Sequence, residues 1–266
     1  MRSDLIDNAM AVSGACIRCL VYTILALPAV LVIVSSFTSG ETMNFPPAGF
    51  SLRWYQKVWE NDLFMSALWT STYVAVLVAL VALVIGFASA FAINRFSFPG
   101  KAFLQGLAFS PLIVPAVVLG IGLLQLFAGL GLTRTIYPLL LGHLVLAIPY
   151  VMRTILASLA LQQRVLEEAA MNLRATPLQV IRRITLPLIL PGLLSAAIFA
   201  FVTSFGNVTV SAFLTYGGKV TLPVQIFAYV DTSYDPLVAA VSSIMILVTL
   251  SVILTIERLI GAERLA

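Results

Sequence analysis

The stretch EEAAMNLRATPLQVIRR, residues 167–183, holds five ionisable side chains in the middle of an apolar chain. Its adjacent carboxylates, Glu167 and Glu168, precede three arginines, whereas only 10% of the whole chain is charged. Carboxylates and guanidinium groups form strong, charge-assisted hydrogen bonds with complementary groups. The chemistry that this stretch predicts is recognition of another protein surface.

The rest of the chain offers little for catalysis. It contains one histidine, His143, and no aspartate or glutamate falls within the apolar spans given below, so a hydrolytic triad cannot be assembled there. It also contains no G-x-x-x-x-G-K-[ST] loop for binding nucleotide phosphates. We therefore expect no enzyme activity, no catalytic residues and no metal-binding residues.

Two further features have a structural and a functional interpretation. His143 lies in LLGHLVLAIPY, where a neutral ring bonded to a backbone carbonyl near Pro149 is favoured over a proton relay. Cys16 and Cys19 form a CxxC pair. A structural zinc site requires about four ligands and a redox motif requires a thioredoxin-like context, so we interpret these as two reduced thiols.

The composition predicts an integral membrane protein. Hydrophobic residues make up 61% of the chain and the mean hydropathy is +1.05, against about 45–50% apolar residues in soluble domains. About 20 apolar residues are needed to cross a bilayer. Six segments are long enough: 19–37, 69–93, 103–130, 136–159, 186–216 and 237–256. The predicted fold class is all-α, with six transmembrane helices in a single domain, 1–266.

The basic residues predict the orientation. An even number of crossings places both termini on one side, and cytoplasmic loops of membrane proteins are rich in lysine and arginine. With the termini inside, eleven basic residues lie in the cytoplasm and four lie outside. The eleven are Arg2, Arg18, Arg95, Lys101, Arg153, Arg164, Arg174, Arg182, Arg183, Arg258 and Arg264. We therefore expect loop 160–185 and both termini to be cytoplasmic.

Loop 160–185 has the signals of two short helices. Residues 163–173 are good helix formers, and Leu166, Ala169, Ala170 and Leu173 recur at three- and four-residue spacing on one face. Thr176, Pro177 and Gln179 then predict a capping box with proline at the first helical position, and the second helix is expected to end near Pro187. Both ends of this pair are tethered close to the bilayer. Docking onto a protein at the membrane surface is thus favoured over binding to DNA.

Several motifs resemble a known family. Glu168-Ala169-Ala170, followed at a characteristic distance by Ile184, Leu186 and Pro187, resembles the EAA loop of permease subunits of ABC importers. The segments FSLRWYQKVWEND, INRFSFPGK and SPLIVPAVVLGIGLL are similar to those of spermidine/putrescine-type permeases. The resemblance covers nearly the whole chain and implies a type I importer permease fold in which the EAA loop supplies a coupling helix. It also implies that the chain lies in a bacterial inner membrane.

The resemblance also implies partners. Loop 160–185 would contact a separate ATP-binding subunit through Glu167, Glu168, Ala169, Ala170, Arg174, Pro177, Ile184, Leu186 and Pro187. The chain would hold no cofactor, because two ATP-binding subunits would bind ATP and Mg and hydrolyse the ATP. The other implied partners are a second permease subunit that is related but different, an extracytoplasmic substrate-binding protein and membrane lipid, with no nucleic acid.

Arg174 departs from the family pattern, which usually has glycine at this position. Glycine suits the left-handed residue after a helix, and another residue there costs about 1–2 kcal/mol. Two outcomes stay open. The turn adopts another geometry, or the arginine caps helical carbonyls or reaches an acid on the partner.

Four residues of the fifth span are candidates for lining the substrate path: Thr203, Phe205, Asn207 and Thr209. The alternative is that their polar groups bond back to their own helix and pack its neighbours. Pro111, Pro115 and Pro149 are expected to break helices near the same cavity.

The substrate is left open between a polyamine-like solute, an opine, an amino-acid derivative and a phosphonate. Polyamine permeases of this type typically have acidic residues in the stretch that matches 205–207, and here those residues are absent. A self-sufficient secondary transporter or a channel subunit is the alternative function. It is disfavoured because such proteins usually carry ionisable residues inside the membrane.

Overall fold

The structure is a computed structural model that describes residues 2–162 and 164–263. Helices dominate the described residues, which include only isolated β-bridges. The helices are α1 Arg2–Ser36, α2 Arg53–Trp59, α3 Asp62–Arg95, α4 Lys101–Phe109, α5 Ala116–Gly129, α6 Tyr137–Ala160, α7 Val165–Asn172, α8 Pro177–Val180, α9 Leu186–Phe205, α10 Thr209–Leu214, α11 Leu222–Val230 and α12 Leu237–Glu263.

The predicted spans correspond to helices of suitable length and hydropathy. Among the described residues, five helices could cross a membrane, and the number rises to six if one sharply bent helix pair counts as a single span. The helices extend beyond the apolar segments found in the sequence; α3, for example, covers Asp62–Arg95 rather than 69–93. Polar residues at the ends continue the same backbone hydrogen-bond pattern, so an apolar run marks the minimum length of a helix. The prediction that α7 begins at residue 163 lies partly outside the described residues.

The third span, 103–130, is broken rather than continuous, which confirms the helix break expected near Pro111 and Pro115. Lys101–Leu112 and Ala116–Gly129 meet at 106°. Pro115, with ψ of 133°, caps the second piece, and a proline pushes the residue before it out of the helical region. Pro149 behaves differently, because α6 continues through it. The helix break expected at Pro149 is therefore absent from the described helix.

The fifth span also differs from the prediction at both ends. The helix that begins at Pro177 does not end near Pro187; it continues through a π-helical segment, Ile181–Thr185, into α9. A π segment has wider turns than an α-helix, which leaves room for the ring of Pro187 against the preceding turn. At the other end, residues 206–208 separate α9 from α10, so 186–216 is not one helix.

The described residues form two compact units. The first comprises the described residues up to Asp62 together with Tyr229–Val248. In this unit the hydroxyl group of Tyr55 lies 2.6 Å from the Ser36 hydroxyl and 2.8 Å from that of Ser243, which links α1, α2 and α12.

The second unit comprises Leu63–Ala228 and the described residues from Thr249, and it contains the candidate site. The close contacts of α6 with its neighbours depend on glycine at three positions. A Cβ atom at Gly86 would collide with Val151, one at Gly142 with Leu214, and one at Gly192 with Ser158. Small residues let helices approach closely in membranes, and here they bring α3, α9 and α10 against α6.

Candidate functional site

Arg174 ends α7 in the left-handed conformation, with φ of 64°. The N–H of Arg174 donates to the carbonyl of Met171 at 2.9 Å, and the N–H of Ala175 donates to that of Ala170 at 3.1 Å. These are the two hydrogen bonds of a Schellman motif. The possibility of another turn geometry is therefore wrong, because the arginine adopts the conformation that suits glycine and its side chain stays exposed.

The capping box that begins the next helix is confirmed. The Thr176 hydroxyl accepts a hydrogen bond from the N–H of Gln179 at 3.4 Å, and the side-chain oxygen Oε1 of Gln179 accepts one from the N–H of Thr176 at 2.8 Å. Pro177 occupies the first helical position. Because both helices have defined ends, the polypeptide between α6 and α9 is a preorganised pair of helices.

A buried ion pair ties this loop to the membrane-spanning helices. Nη2 of Arg95, at the end of α3, lies 2.8 Å from Oε1 of Glu167, and only 7% and 12% of the two side chains are exposed. The hydroxyl of Thr185 donates to the same oxygen at 2.9 Å. Arg164 completes the cluster by donating to the carbonyl of Arg95 at 2.6 Å. One carboxylate thereby joins α3, α7 and the π segment.

Arg95 and Thr185, the two partners of the Glu167 carboxylate, were not predicted from the sequence as site residues. They lie 72 and 18 positions from Glu167. The available signal was the position of Arg95 at the end of an apolar run, although the same position also fits an arginine that simply anchors a helix end at the membrane surface.

The other predicted loop residues are more accessible. Glu168 and Pro177 line a cavity of about 400 Å³, together with Phe91, Arg164 and Met171. Ala169 and Arg174 are exposed, and Ala170 is half-buried. Ile184 and Leu186 are half-buried and Pro187 is exposed at the start of the span. The structure thus brings Glu167, Glu168 and Pro177 to one cavity, whereas the remaining predicted residues do not line it.

The same loop exposes large apolar side chains. Leu173 is 85% exposed and Leu178 is 73% exposed. Leu173 directly precedes Arg174 of the Schellman turn and Leu178 lies within the capping box, in a segment whose backbone is held by hydrogen bonds. Exposed apolar surface on an ordered segment is typical of a protein interaction site.

His143 is buried and binds two serines rather than a backbone carbonyl, which corrects the expectation. Its Nδ1 atom lies 2.7 Å from Oγ of Ser204, and its Nε2 atom lies 2.9 Å from Oγ of Ser211. The Ser211 hydroxyl already donates its proton to the carbonyl of Asn207. It must therefore accept from Nε2–H, which leaves Nδ1 to accept from Ser204. The ring thus bridges the break between α9 and α10.

Asn207 lies in that break and caps α10. Its side-chain oxygen accepts hydrogen bonds from the N–H groups of Val210 at 3.0 Å and Ser211 at 3.2 Å. Thr203 and Thr209 are half-buried, whereas Phe205 is buried. The ring of Phe205 stacks on that of Phe201 at 5.2 Å. The contacts found here are structural, and a role of these four residues in a substrate path stays a prediction.

Comparison with known families decides the class of protein. Residues 82–261, which include the capped loop and both broken spans, match the family described as "Binding-protein-dependent transport system inner membrane component". The chain belongs to this family. The resemblance to importer permeases noted from the EAA motif is thereby confirmed.

Relatives narrow the family further. The chain is 33% identical over 234 residues to the spermidine/putrescine transport system permease protein PotC of Haemophilus influenzae, covering 88% of this chain and 90% of the relative. It is 33% identical over 235 residues to the putrescine transport system permease protein PotI of Escherichia coli, covering 85% and 82%. This binding-protein-dependent permease is therefore of the polyamine type by sequence.

A solved structure agrees on the fold. A bacterial ABC transporter involved in the import of the acidic polysaccharide alginate contains a chain that matches with a TM-score of 0.71 at 17% identity, covering 95% of this chain and 96% of that one. The predicted all-α importer permease fold is confirmed. The chain is thus a multi-pass inner-membrane permease of an ABC importer, and the alternatives of a secondary transporter or a channel subunit are not supported.

Proposed function

We propose that loop 160–185 docks onto a separate ATP-binding subunit and transmits that subunit's movement to the membrane-spanning helices. The observation that carries this proposal is the buried contact of Glu167 with Arg95 and Thr185. A displacement of α7 moves the Glu167 carboxylate, and that carboxylate is bonded to the end of α3 and to the segment that leads into α9. Glu167 therefore positions the loop rather than contacting the partner.

The contact surface lies on the exposed side of the same loop. Glu168 offers a carboxylate for a basic group of the ATP-binding subunit, and Leu173 and Leu178 offer apolar area. The small side chains of Ala169 and Ala170 allow the partner to approach α7 closely. Arg174 projects from the turn between the two helices, where it supplies a positive charge next to this surface.

The complete importer would contain further subunits. A second permease, related to this one but different, would form the other half of the path, and an extracytoplasmic protein would deliver the solute. Two ATP-binding subunits would hold ATP and Mg and hydrolyse the ATP, and the termini of this chain would be cytoplasmic. The family description, which names a binding-protein-dependent system, supports this assembly.

The transported solute is a small polar molecule. The two relatives given above are named for spermidine and putrescine. No carboxylate lies inside the predicted spans of this chain, so a polyamine would need its counter-charges from the second permease. An opine, an amino-acid derivative or a phosphonate remains within the proposed range of solutes.

Co-purification tests the proposal. Wild-type chain and Glu168→Lys are each purified from native cells in mild detergent, and the bound proteins are identified by mass spectrometry. Glu257→Lys, a charge reversal at another exposed glutamate, serves as the matched control. An ATP-binding subunit present with the wild type and the control but lost with Glu168→Lys supports the proposal. Equal recovery with all three would show that Glu168 is not part of the contact.

A further inference from the structure

Arg153, which the count of basic residues above assigned to the cytoplasm, is the one charged residue of α6, Tyr137–Ala160, and lies seven residues before the end of that helix. At 1.5 Å per residue this places its Cα atom about 10 Å inside the span. Charged groups within apolar spans are costly and commonly mark substrate or ion pathways. A basic residue that only anchors the helix end would be expected closer to Ala160.

The environment of Arg153 leaves its charge available. The side chain is exposed, and within the described part of the chain it makes no ion pair or hydrogen bond. It borders two open cavities, one of about 570 Å³ between α6 and α9 and one of about 410 Å³ towards α4. Neither cavity has a carboxylate in its lining.

The larger cavity contains a second available donor. The hydroxyls of Thr154, Ser158 and Ser195 donate to carbonyls of their own helices at 2.9, 3.1 and 2.9 Å. The phenol of Tyr150 has no such partner among the described residues, and it lies three positions before Arg153 on the same helix face. The cavity thus joins a guanidinium group and a phenol group, both able to donate.

We propose that Arg153 and Tyr150 bind an oxyanion, a carboxylate or phosphate-type group, of the solute as it passes through the cytoplasmic half of the membrane. This proposal rests on the proposed function of the chain as a permease. A guanidinium group matches a carboxylate or a phosphate with two parallel hydrogen bonds. The same positive charge repels a polyamine, so the site favours an anionic or zwitterionic solute.

An anionic lipid headgroup carries the same chemistry, but the depth of the cavity favours a solute. Tyr150 lies ten residues from the end of α6, about 15 Å into the span, and the lining continues along α9 from Pro191 to Phe199. A headgroup would bind near the helix ends, at the membrane surface. We therefore assign the site to the solute, and the experiment below separates the two sources.

Thiol labelling next to Arg153 tests the proposal. Ser195→Cys is introduced in a Cys16→Ser, Cys19→Ser background, and the complete complex is placed in phosphatidylcholine nanodiscs. Its labelling rates are measured with the anionic 2-sulfonatoethyl and the cationic 2-trimethylammonioethyl methanethiosulfonates. One charge at about 4 Å in water should speed the anionic reagent about fivefold and slow the cationic one about fivefold, so we expect the anionic reagent to be favoured by about 25-fold overall. Arg153→Gln should remove this preference, and the control Arg182→Gln should keep it.

Four results would overturn the oxyanion site. The first is equal labelling by both charged reagents, and the second is a preference that survives Arg153→Gln. The third is labelling by the uncharged N-ethylmaleimide alone, which would show that position 195 faces lipid rather than water. The fourth is a preference that disappears when about one third of the lipid is phosphatidylglycerol. This result would show that Arg153 binds an anionic lipid headgroup instead of the solute.

ATPase activity measured on the same nanodiscs separates this proposal from the proposed function. If the ATP-binding subunit is retained and its activity responds to the binding protein, a failed labelling test contradicts only the oxyanion site. If no ATP-binding subunit associates, the proposed function fails instead. The labelling rates still report the charge beside position 195 in that case.

Discussion

The Nη2 atom of Arg95 and the Oε1 atom of Glu167 lie 2.8 Å apart although the two residues are separated by 72 positions. The pair joins the end of a membrane-spanning helix to a loop that exposes leucines. The exposed surface of the loop and a transmembrane helix are thus connected through one buried carboxylate.

We predict that Glu167→Gln lowers the thermal stability of the permease, because it leaves the Arg95 guanidinium buried without a counter-charge. Removing one partner of a buried pair costs about 3–5 kcal/mol. A thermal unfolding midpoint measured in detergent checks this. The double substitution Arg95→Leu, Glu167→Leu should recover much of the loss, and a midpoint unchanged in Glu167→Gln would show that the pair is not formed.

Arg174→Gly should make the loop more stable, since glycine adopts a positive φ without the cost of about 1–2 kcal/mol that other residues incur. The rate of proteolytic cleavage between α7 and α8 measures this effect, and we expect slower cleavage of the glycine variant. Arg174→Ala is the matched control, because it removes the charge and keeps the strain. Weaker retention of the ATP-binding subunit in both variants would instead show that the guanidinium contacts the partner.

His143→Leu should destabilise the junction between α9 and α10. The change leaves the hydroxyl of Ser204 buried without its histidine partner, and an unsatisfied buried polar group costs about 1–3 kcal/mol. Adding Ser204→Ala should restore part of the unfolding midpoint. If the midpoint of His143→Leu equals that of the wild type, the bridge seen here contributes nothing to stability.

Substitutions of Asn207 distinguish its role as the cap of α10 from its predicted role in lining the substrate path. Asn207→Ala removes the acceptor for two backbone N–H groups and should cost about 1 kcal/mol, whereas Asn207→Asp retains an acceptor and should be close to neutral. Uptake of labelled solute by the complete importer is compared among these variants and Asn207→Leu. Transport that is indifferent to Asn207→Ala and Asn207→Leu would contradict the predicted role in the path.

Local sequence signals predicted the loop well and distant contacts poorly. Thr176, Pro177 and Gln179 lie within four residues, so the capping box could be read from their types. Pro115 similarly marked the break in the third span. Glu167 and Arg95, by contrast, are brought together only by packing of α3 against the loop, and a single sequence carries no signal for that pairing.

The break after Phe205 was missed for a different physical reason. The sequence has no proline there, and the hydroxyl residues around it fit a continuous helix as well as a broken one. The structure shows that the Asn207 side chain takes the N–H groups of Val210 and Ser211, while His143 holds serines on both sides. Side chains of asparagine compete with helical hydrogen bonds in this way, but the histidine partner comes from another helix.

Photocrosslinking from the exposed loop tests whether loop 160–185 contacts the ATP-binding subunit. p-Benzoylphenylalanine replaces Leu173 in the assembled importer, and a second preparation carries it in place of Trp59, which is 71% exposed and lies in the segment predicted to be outside. We expect a crosslink from position 173 to the ATP-binding subunit, and we expect no crosslink to that subunit from position 59. An intact complex that crosslinks to the ATP-binding subunit from position 59, or fails to do so from position 173, would contradict the assignment of loop 160–185 as the coupling surface.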